Sequence, residues 1–134
     1  MYYRTPPRSN TATLLVSMRS IDKGKIGEDC AIAHLQSQGY KLYARNVRIA
    51  RDEIDAILFH TEEKTIVFLE VKSRTRNNPD FSPALGLTSA KRKKLFRSAH
   101  AWVDLHDYEG SFRIDVIYVT ENRVTDHIQS ITST

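Results

Sequence analysis

Three residues within "EIDAILFHTEEKTIVFLEVK", which spans 53–72, have types and spacing that could do chemistry: Asp55, Glu70 and Lys72. Two apolar runs flank a short charged break, and each run carries an acid where a buried strand should have none. A break this short and polar predicts an antiparallel hairpin rather than a crossover pair. A turn centred between Glu62 and Glu63 sets Asp55 opposite Glu70, and period-two alternation puts Ile66, Phe68, Glu70 and Lys72 on one side of the second strand. The turn lacks the favoured Asn-Gly or Asp-Gly pair, but a slip of two residues would leave the shared face intact. Opposed carboxylates repel, and burying either one unpaired is costly. A cation must therefore stand between them.

Lys72 supplies one positive charge. A hard divalent ion with oxygen ligands, Mg2+ or Mn2+, matches two or three carboxylates better. Acid, acid and lysine around such an ion are the parts for hydrolysing a phosphodiester: the metal polarises a phosphoryl oxygen and acidifies a bound water, while the lysine orients that water or stabilises the developing charge. The competing reading is a purely structural salt-bridge network among the same three side chains.

The elements that must position these residues are legible around them. "DKGKIGEDCAIAHLQSQGY" predicts a helix with Asp22 as N-cap and Gly39 as its stop, and with Gly24, Glu28, Ala31 and Leu35 sharing one core-facing stripe. Glu28 is thus a third acid aimed inward, with Gly24 and Gly27 allowing close backbone approach; the alternative is an acid favoured by the helix dipole. "YKLYARNVRIA" reads as a strand preceding the hairpin. After it, "RTRNNPDFSPALGLTS" is a turn-rich loop suited to border a cleft. Thr88 or Ser89 can cap the next helix, "AKRKKLFRSAHAWVDL", whose core stripe is Leu95, Ala99 and Trp102. "SFRIDVIYVT" and "VTDHIQSI" close the chain as two strands joined near Glu121-Asn122. Asp115, which interrupts the first of them, is expected to pair with an arginine such as Arg113 or Arg45; the alternative is a fourth acid of the site. The order helix, three strands, helix, two strands predicts an α/β fold with a mixed central sheet flanked by helices.

A chain of 134 residues with 40% hydrophobic and 27% charged residues has the length and apolar content of one compact domain. The ordered domain is read as residues 21–134, and residues 1–20, which lack either period, as an N-terminal extension expected to be disordered, without a signal-peptide pattern. The lone Cys30 leaves no disulfide framework, the five histidines are too dispersed for a zinc site, and no apolar run has the length of a membrane span. A reducing cytoplasm is the expected compartment. The net charge of +4 is modest, but Lys91, Lys94 and Arg97 cluster on the second helix, with Arg74 and Arg76 upstream. These five are the candidate nucleic-acid-binding residues; a merely solvated helix face is the alternative.

Together these segments resemble known proteins. "EID" followed by "FLEVKSR" resembles the PD-(D/E)xK nuclease superfamily, with Ile54-Asp55 in place of Pro-Asp and Glu70-Val71-Lys72 as the E-x-K element. More closely, "GKIGEDCAIAHLQSQGY", "DEIDAI", "FLEVKSR", the lysine-bearing helix and "FRIDVIYV", in that order, resemble the YraN family of small bacterial proteins over Gly24 to Asp126. The resemblance implies a restriction-endonuclease-like α-β-β-β-α-β core similar to Holliday junction resolvases. It also implies Asp55 and Glu70 as metal ligands, Glu28 as an accessory acid of the metal site and Lys72 as the catalytic lysine. Asp52 departs from the pattern, which usually has glycine there.

The resulting expectation is an Mg2+- or Mn2+-dependent endonuclease acting on structured DNA, with a homodimer compatible with the sequence. The alternative is a nucleic-acid-binding or protein-interaction module that keeps the fold without cleavage.

Overall fold

The computed structural model describes residues 23–74 and 87–133. Helix α1 (Lys23–Gln36) is followed by β1 (Tyr40–Ile49), β2 (Asp52–His60) and β3 (Thr65–Arg74), then α2 (Ser89–Leu105), β4 (Ser111–Thr120) and β5 (Arg123–Ile128). The strands form one open sheet in the order β1-β2-β3-β4-β5. Only β3 and β4 run parallel, as they must where a crossover carrying α2 joins them; the other neighbours are antiparallel. The expected α/β fold with a mixed sheet and an α-β-β-β-α-β core is the one observed, with β5 added at an edge. The expected N-terminal extension, the Asp22 cap, Arg76 and most of the loop before α2 lie outside the described residues.

Local chemistry sets the boundaries. Gly39 ends the α1 turn at φ 92, a conformation that a Cβ disfavours. Thr88 caps α2 by accepting the Lys91 N–H at 3.2 Å. Glu121 and Asn122 both adopt positive φ in the two-residue β4–β5 connection, which suits the twist of a tight hairpin.

Each helix covers one face of the sheet. Ala31, Ile32 and Leu35 of α1 pack with Ala56, Leu58, Val67, Leu69, Ile117 and Val119. Ala99 and Trp102 of α2 pack with Ile57, Ile66, Phe68, Ile114, Val116 and Tyr118 on the other face. The rings of Tyr43 and Phe68 meet Trp102 edge-on at 5.8 and 5.5 Å, so Trp102 is a core residue. Because Ile66 and Phe68 belong to the α2 face, Glu70 and Lys72 continue that row toward the open end of β3.

Candidate active site

The hairpin register is the expected one. His60 pairs with Thr65 and the ladder runs to Ala56 opposite Leu69, which aims Asp55 at Glu70. The regular pairing stops there, one step short of the acids. Strict alternation also fails in β2: Asp52 contacts α2, and Ile54 and Ile57 both join the α2-side core although they differ in parity. In β1, Asn46 sits at φ 50 in the gap between the Val47–Ile54 and Arg45–Ala56 pairs. The sheet is therefore irregular on both sides of Asp55, and its carboxylate is not simply stacked against that of Glu70. It turns to the backbone of β3 and accepts the Val71 N–H at 2.8 Å. A ladder interrupted where a side chain must be re-aimed is a common device beside functional sites.

Around this break the charges are incompletely matched. Lys72 Nζ lies 3.5 Å from Glu70 Oε1, the one salt bridge Glu70 makes among the described residues. Burial and the Asp55 charge push the Glu70 carboxyl up to about 7, against the pull of Lys72. Burial likewise raises Asp55; the Val71 N–H and Lys72 oppose that rise and Glu53 adds to it. Burial opposes the charge of Lys72, yet the Glu70 and Asp55 carboxylates hold its pKa above the ordinary lysine value. Proximity to Lys72 lowers Lys91. Lys91 of α2 therefore leans toward Glu70 and Lys72, as its place one turn before Leu95 suggests.

Glu28 approaches from the α1 side. Burial and Asp55 raise its pKa, while Arg45, 3.4 Å away, offsets part of the shift. With its amide oriented to donate, Asn46 bridges Glu28 and Glu53 at 3.3 and 3.2 Å. Gly27 brings α1 close against β3: a Cβ there would collide with the Ser73 hydroxyl, directly after Lys72, unless that hydroxyl turned away. Asp55 and Glu70 thus share the site and Glu28 borders it, but among the described residues no three acids, histidines or cysteines are grouped as a ready-made metal cage.

A cleft of about 450 Å³ opens over Glu70 and Lys72, lined on one side by Arg48, Arg51 and Glu53 and on the other by Lys91, Lys94, Leu95 and Ser98. The five candidate nucleic-acid-binding residues fare differently. Lys91 and Lys94 line the cleft. Arg97 is engaged by Asp52, donating to it from Nε and Nη2 at 3.0 Å each. Arg74 is held by Thr120, Thr125 and Asp126 across β4 and β5. Arg76 lies outside the described residues. Arg48 and Arg51 are not singled out by the sequence pattern, although a signal exists: they sit at the hairpin turn just before Asp55, and that turn must fall at the same end of the sheet as Asp55.

Asp52, the departure from the family pattern, occupies a defined role. Burial opposes its ionisation, but Arg97, the Ser98 hydroxyl at 3.2 Å and Lys94 together hold its carboxyl below the ordinary range.

Comparison with known proteins agrees with the sequence motifs. The model of the Uncharacterised protein family UPF0102 matches residues 27–119. A UPF0102 protein of Cytophaga hutchinsonii is 36% identical over 115 residues, covering 86% of this chain and 99% of that protein. One of Kosmotoga olearia is 37% identical over 115 residues, covering 84% and 94% respectively. Another, of Geobacter metallireducens, is 32% identical over 117 residues, covering 87% and 93%. No helix among the described residues is long and apolar enough to cross a membrane.

Proposed function

The chain belongs to the UPF0102 family, the YraN family of its motifs, and we propose that it is a divalent-metal-dependent endonuclease acting on structured DNA. The observation that carries this reading is the under-compensated pair Asp55 and Glu70 beside Lys72, with Glu70 and Lys72 lining a cleft whose walls are cationic. Two carboxylates with raised pKa values and one lysine leave negative charge unmet, which an oxygen-seeking cation would satisfy. Two protein carboxylates suffice for magnesium, which ordinarily keeps water and takes phosphate oxygens as its remaining ligands. Asp55 and Glu70 would hold the ion, with Glu28 as the acid behind them. When bound, it would polarise the scissile phosphoryl oxygen and lower the pKa of its water.

The protein's own groups do the rest. The Val71 N–H fixes one oxygen of Asp55, leaving the other for a ligand. Lys72, steadied by Glu70, presents its ammonium where negative charge develops on the phosphate. Arg48, Arg51, Lys91 and Lys94 neutralise the phosphates on either side. The preference for structured DNA rests on the PD-(D/E)xK and junction-resolvase resemblance of the motifs.

The test is a panel of four-way junction, flap, duplex and single-stranded substrates incubated with Mg2+ or Mn2+. Wild type should cleave at least one of them, and Asp55→Ala, Glu70→Ala or Lys72→Ala should each remove most of that cleavage while binding persists. Wild-type cleavage by both Asp55→Ala and Glu70→Ala would overturn the assignment. Salt-sensitive binding with no divalent-dependent cleavage of any substrate would leave the non-catalytic binding module instead.

A further inference from the structure

The two walls of the cleft come from elements far apart in sequence. Arg48 and Arg51 stand at the β1–β2 connection, and Lys91 and Lys94 stand on α2. All four are exposed, and among the described residues neither arginine makes a salt bridge, although Lys94 is 4.0 Å from Asp52 and Lys91 touches Lys72. Between the walls lies Asp52, 5% exposed, the first residue of β2 and the neighbour of Arg51. Its two carboxylate oxygens take the Arg97 fork at 3.0 Å each, and one also takes the Ser98 hydroxyl at 3.2 Å. A bidentate guanidinium–carboxylate pair fixes orientation as well as distance, so it ties the hairpin turn to α2 as a rigid strut. It also neutralises Arg97, one of the five candidate nucleic-acid-binding residues.

We propose that Asp52 is a positioning residue: by clasping Arg97 and Ser98 it withdraws Arg97 from phosphate binding and holds Arg48 and Arg51 opposite Lys91 and Lys94, so that these four cations grip a nucleic-acid backbone across Glu70 and Lys72. The inference rests on the nucleic-acid reading of the cleft but not on cleavage. Arg48 and Arg51 become the partners of Lys91 and Lys94, and Arg97 acts through Asp52 alone.

The experiment measures binding of a fluorescein-labelled four-way junction and a labelled single-stranded oligonucleotide, in chelator, across a salt series. Removing one phosphate-binding cation should flatten the log-log slope by about 0.7 to 0.9. Arg48→Ala combined with Arg51→Ala should therefore reduce the slope by about 1.4 to 1.8. Arg97→Gln, at a half-exposed side chain, should flatten the slope only by loosening Arg48 and Arg51, so that added to the Arg48→Ala, Arg51→Ala variant it should remove no more than about 0.3 further. By itself Arg97→Gln should speed amide hydrogen exchange in the β1–β2 turn at least tenfold, and Arg97→Lys, which restores charge without the fork, should not reverse that increase. Asp52→Asn should speed the same amides; if it proves too unstable to purify, the Arg97→Gln exchange measurement decides.

A further slope decrease worth a full phosphate when Arg97→Gln is added to the hairpin double variant, unchanged exchange of the turn amides in Arg97→Gln, an unchanged slope when both hairpin arginines are removed, or no salt-dependent binding by wild type would each overturn the inference. The two proposals fail separately. Normal slopes with an inert Asp55 and Glu70 site would sink the nuclease and spare the clasp, whereas divalent-dependent cleavage with an unchanged slope in the hairpin variant would do the reverse.

Discussion

Asp115 and the pair Asp55 and Glu70 are all acids within strands of one sheet, yet they live under opposite conditions. Asp115 is fully buried and fully met: Arg113 Nε donates to its two oxygens at 3.1 and 3.2 Å, His127 lies 2.8 Å away and the Ser130 N–H donates at 2.9 Å. Arg113 is itself saturated, reaching Glu63 at 2.6 Å and the Tyr40 hydroxyl. Glu70, less buried, has one lysine at 3.5 Å, and Asp55 has one backbone N–H. A structural acid is the one whose lone pairs are already spent. Acids left with spare lone pairs and mutual repulsion are suited to a cation, which is the role proposed for Asp55 and Glu70.

That contrast is most directly broken by truncation. Asp115→Ala leaves Arg113 with only the exposed Glu63 as counter-charge and strips the Ser130 N–H of its acceptor, and should cost about 3 to 5 kcal/mol in urea denaturation at an unchanged m-value. Asp55→Ala in chelator removes a repelling charge along with one hydrogen bond and should cost less than about 1 kcal/mol. If Asp55→Ala proves the more damaging of the two, the pair beside Lys72 is a structural network and the distinction from Asp115 collapses.

Much of this contrast is legible in the amino-acid sequence. The short polar break centres the β2–β3 turn and so aims Asp55 at Glu70, and of the two arginines expected as partners of Asp115, Arg113 meets it while Arg45 goes to Glu28 and Asp29. The order of elements follows from where the periodicity changes. What spacing along one element cannot show is which charge on another element meets it. The α2 stripe sets Lys91 one turn before Leu95, but nothing in the sequence shows that Arg97 is consumed by Asp52 or separates Arg74 from the cations that face solvent. Nor does strict alternation foresee the break at Asp55, because it assumes the regular ladder that the positive φ of Asn46 and the interrupted pairing abandon.

Cation binding sharpens the comparison at the next scale. A divalent ion that binds only the folded protein stabilises it by RT ln(1 + [L]/Kd), about 2.7 kcal/mol at a hundredfold excess over Kd. Wild type should show that gain as a concentration-dependent rise in Tm with Mg2+ or Mn2+, and Asp55→Asn should lose most of it. In chelator the order reverses: Asp55→Asn should melt above wild type, because the amide nearly keeps the shape and relieves the repulsion. Asp55→Asn melting below wild type in chelator, with no divalent effect on either protein, would make Asp55 a second Asp115.

The smallest effect is the pH dependence of Glu70, and its sign separates the two kinds of acid. The folded-state pKa stands at about 7, above the ordinary 4.5, chiefly because burial and Asp55 disfavour its charge. Between these values the folded protein holds more protons than the unfolded chain, so the stability this group contributes is complete below pH 4.5 and is lost as pH rises through 7. Asp52 and Glu63, whose pKa values are lowered, act in the opposite sense and lose their contribution on acidification. The informative pair is therefore wild type and Glu70→Gln, in which those other groups cancel. In chelator the variant should gain on wild type steadily from about pH 4.5 to about 7 and then hold its lead, by about 1 kcal/mol once screening at the cleft mouth is allowed for. Magnesium should erase that lead, since the ion rewards the ionised carboxylate that chelator leaves uncompensated, and should do so more fully as pH rises through about 7. A Glu70→Gln protein that instead falls behind wild type above about pH 7 in chelator would mean that Lys72 already satisfies Glu70, as Arg113 satisfies Asp115.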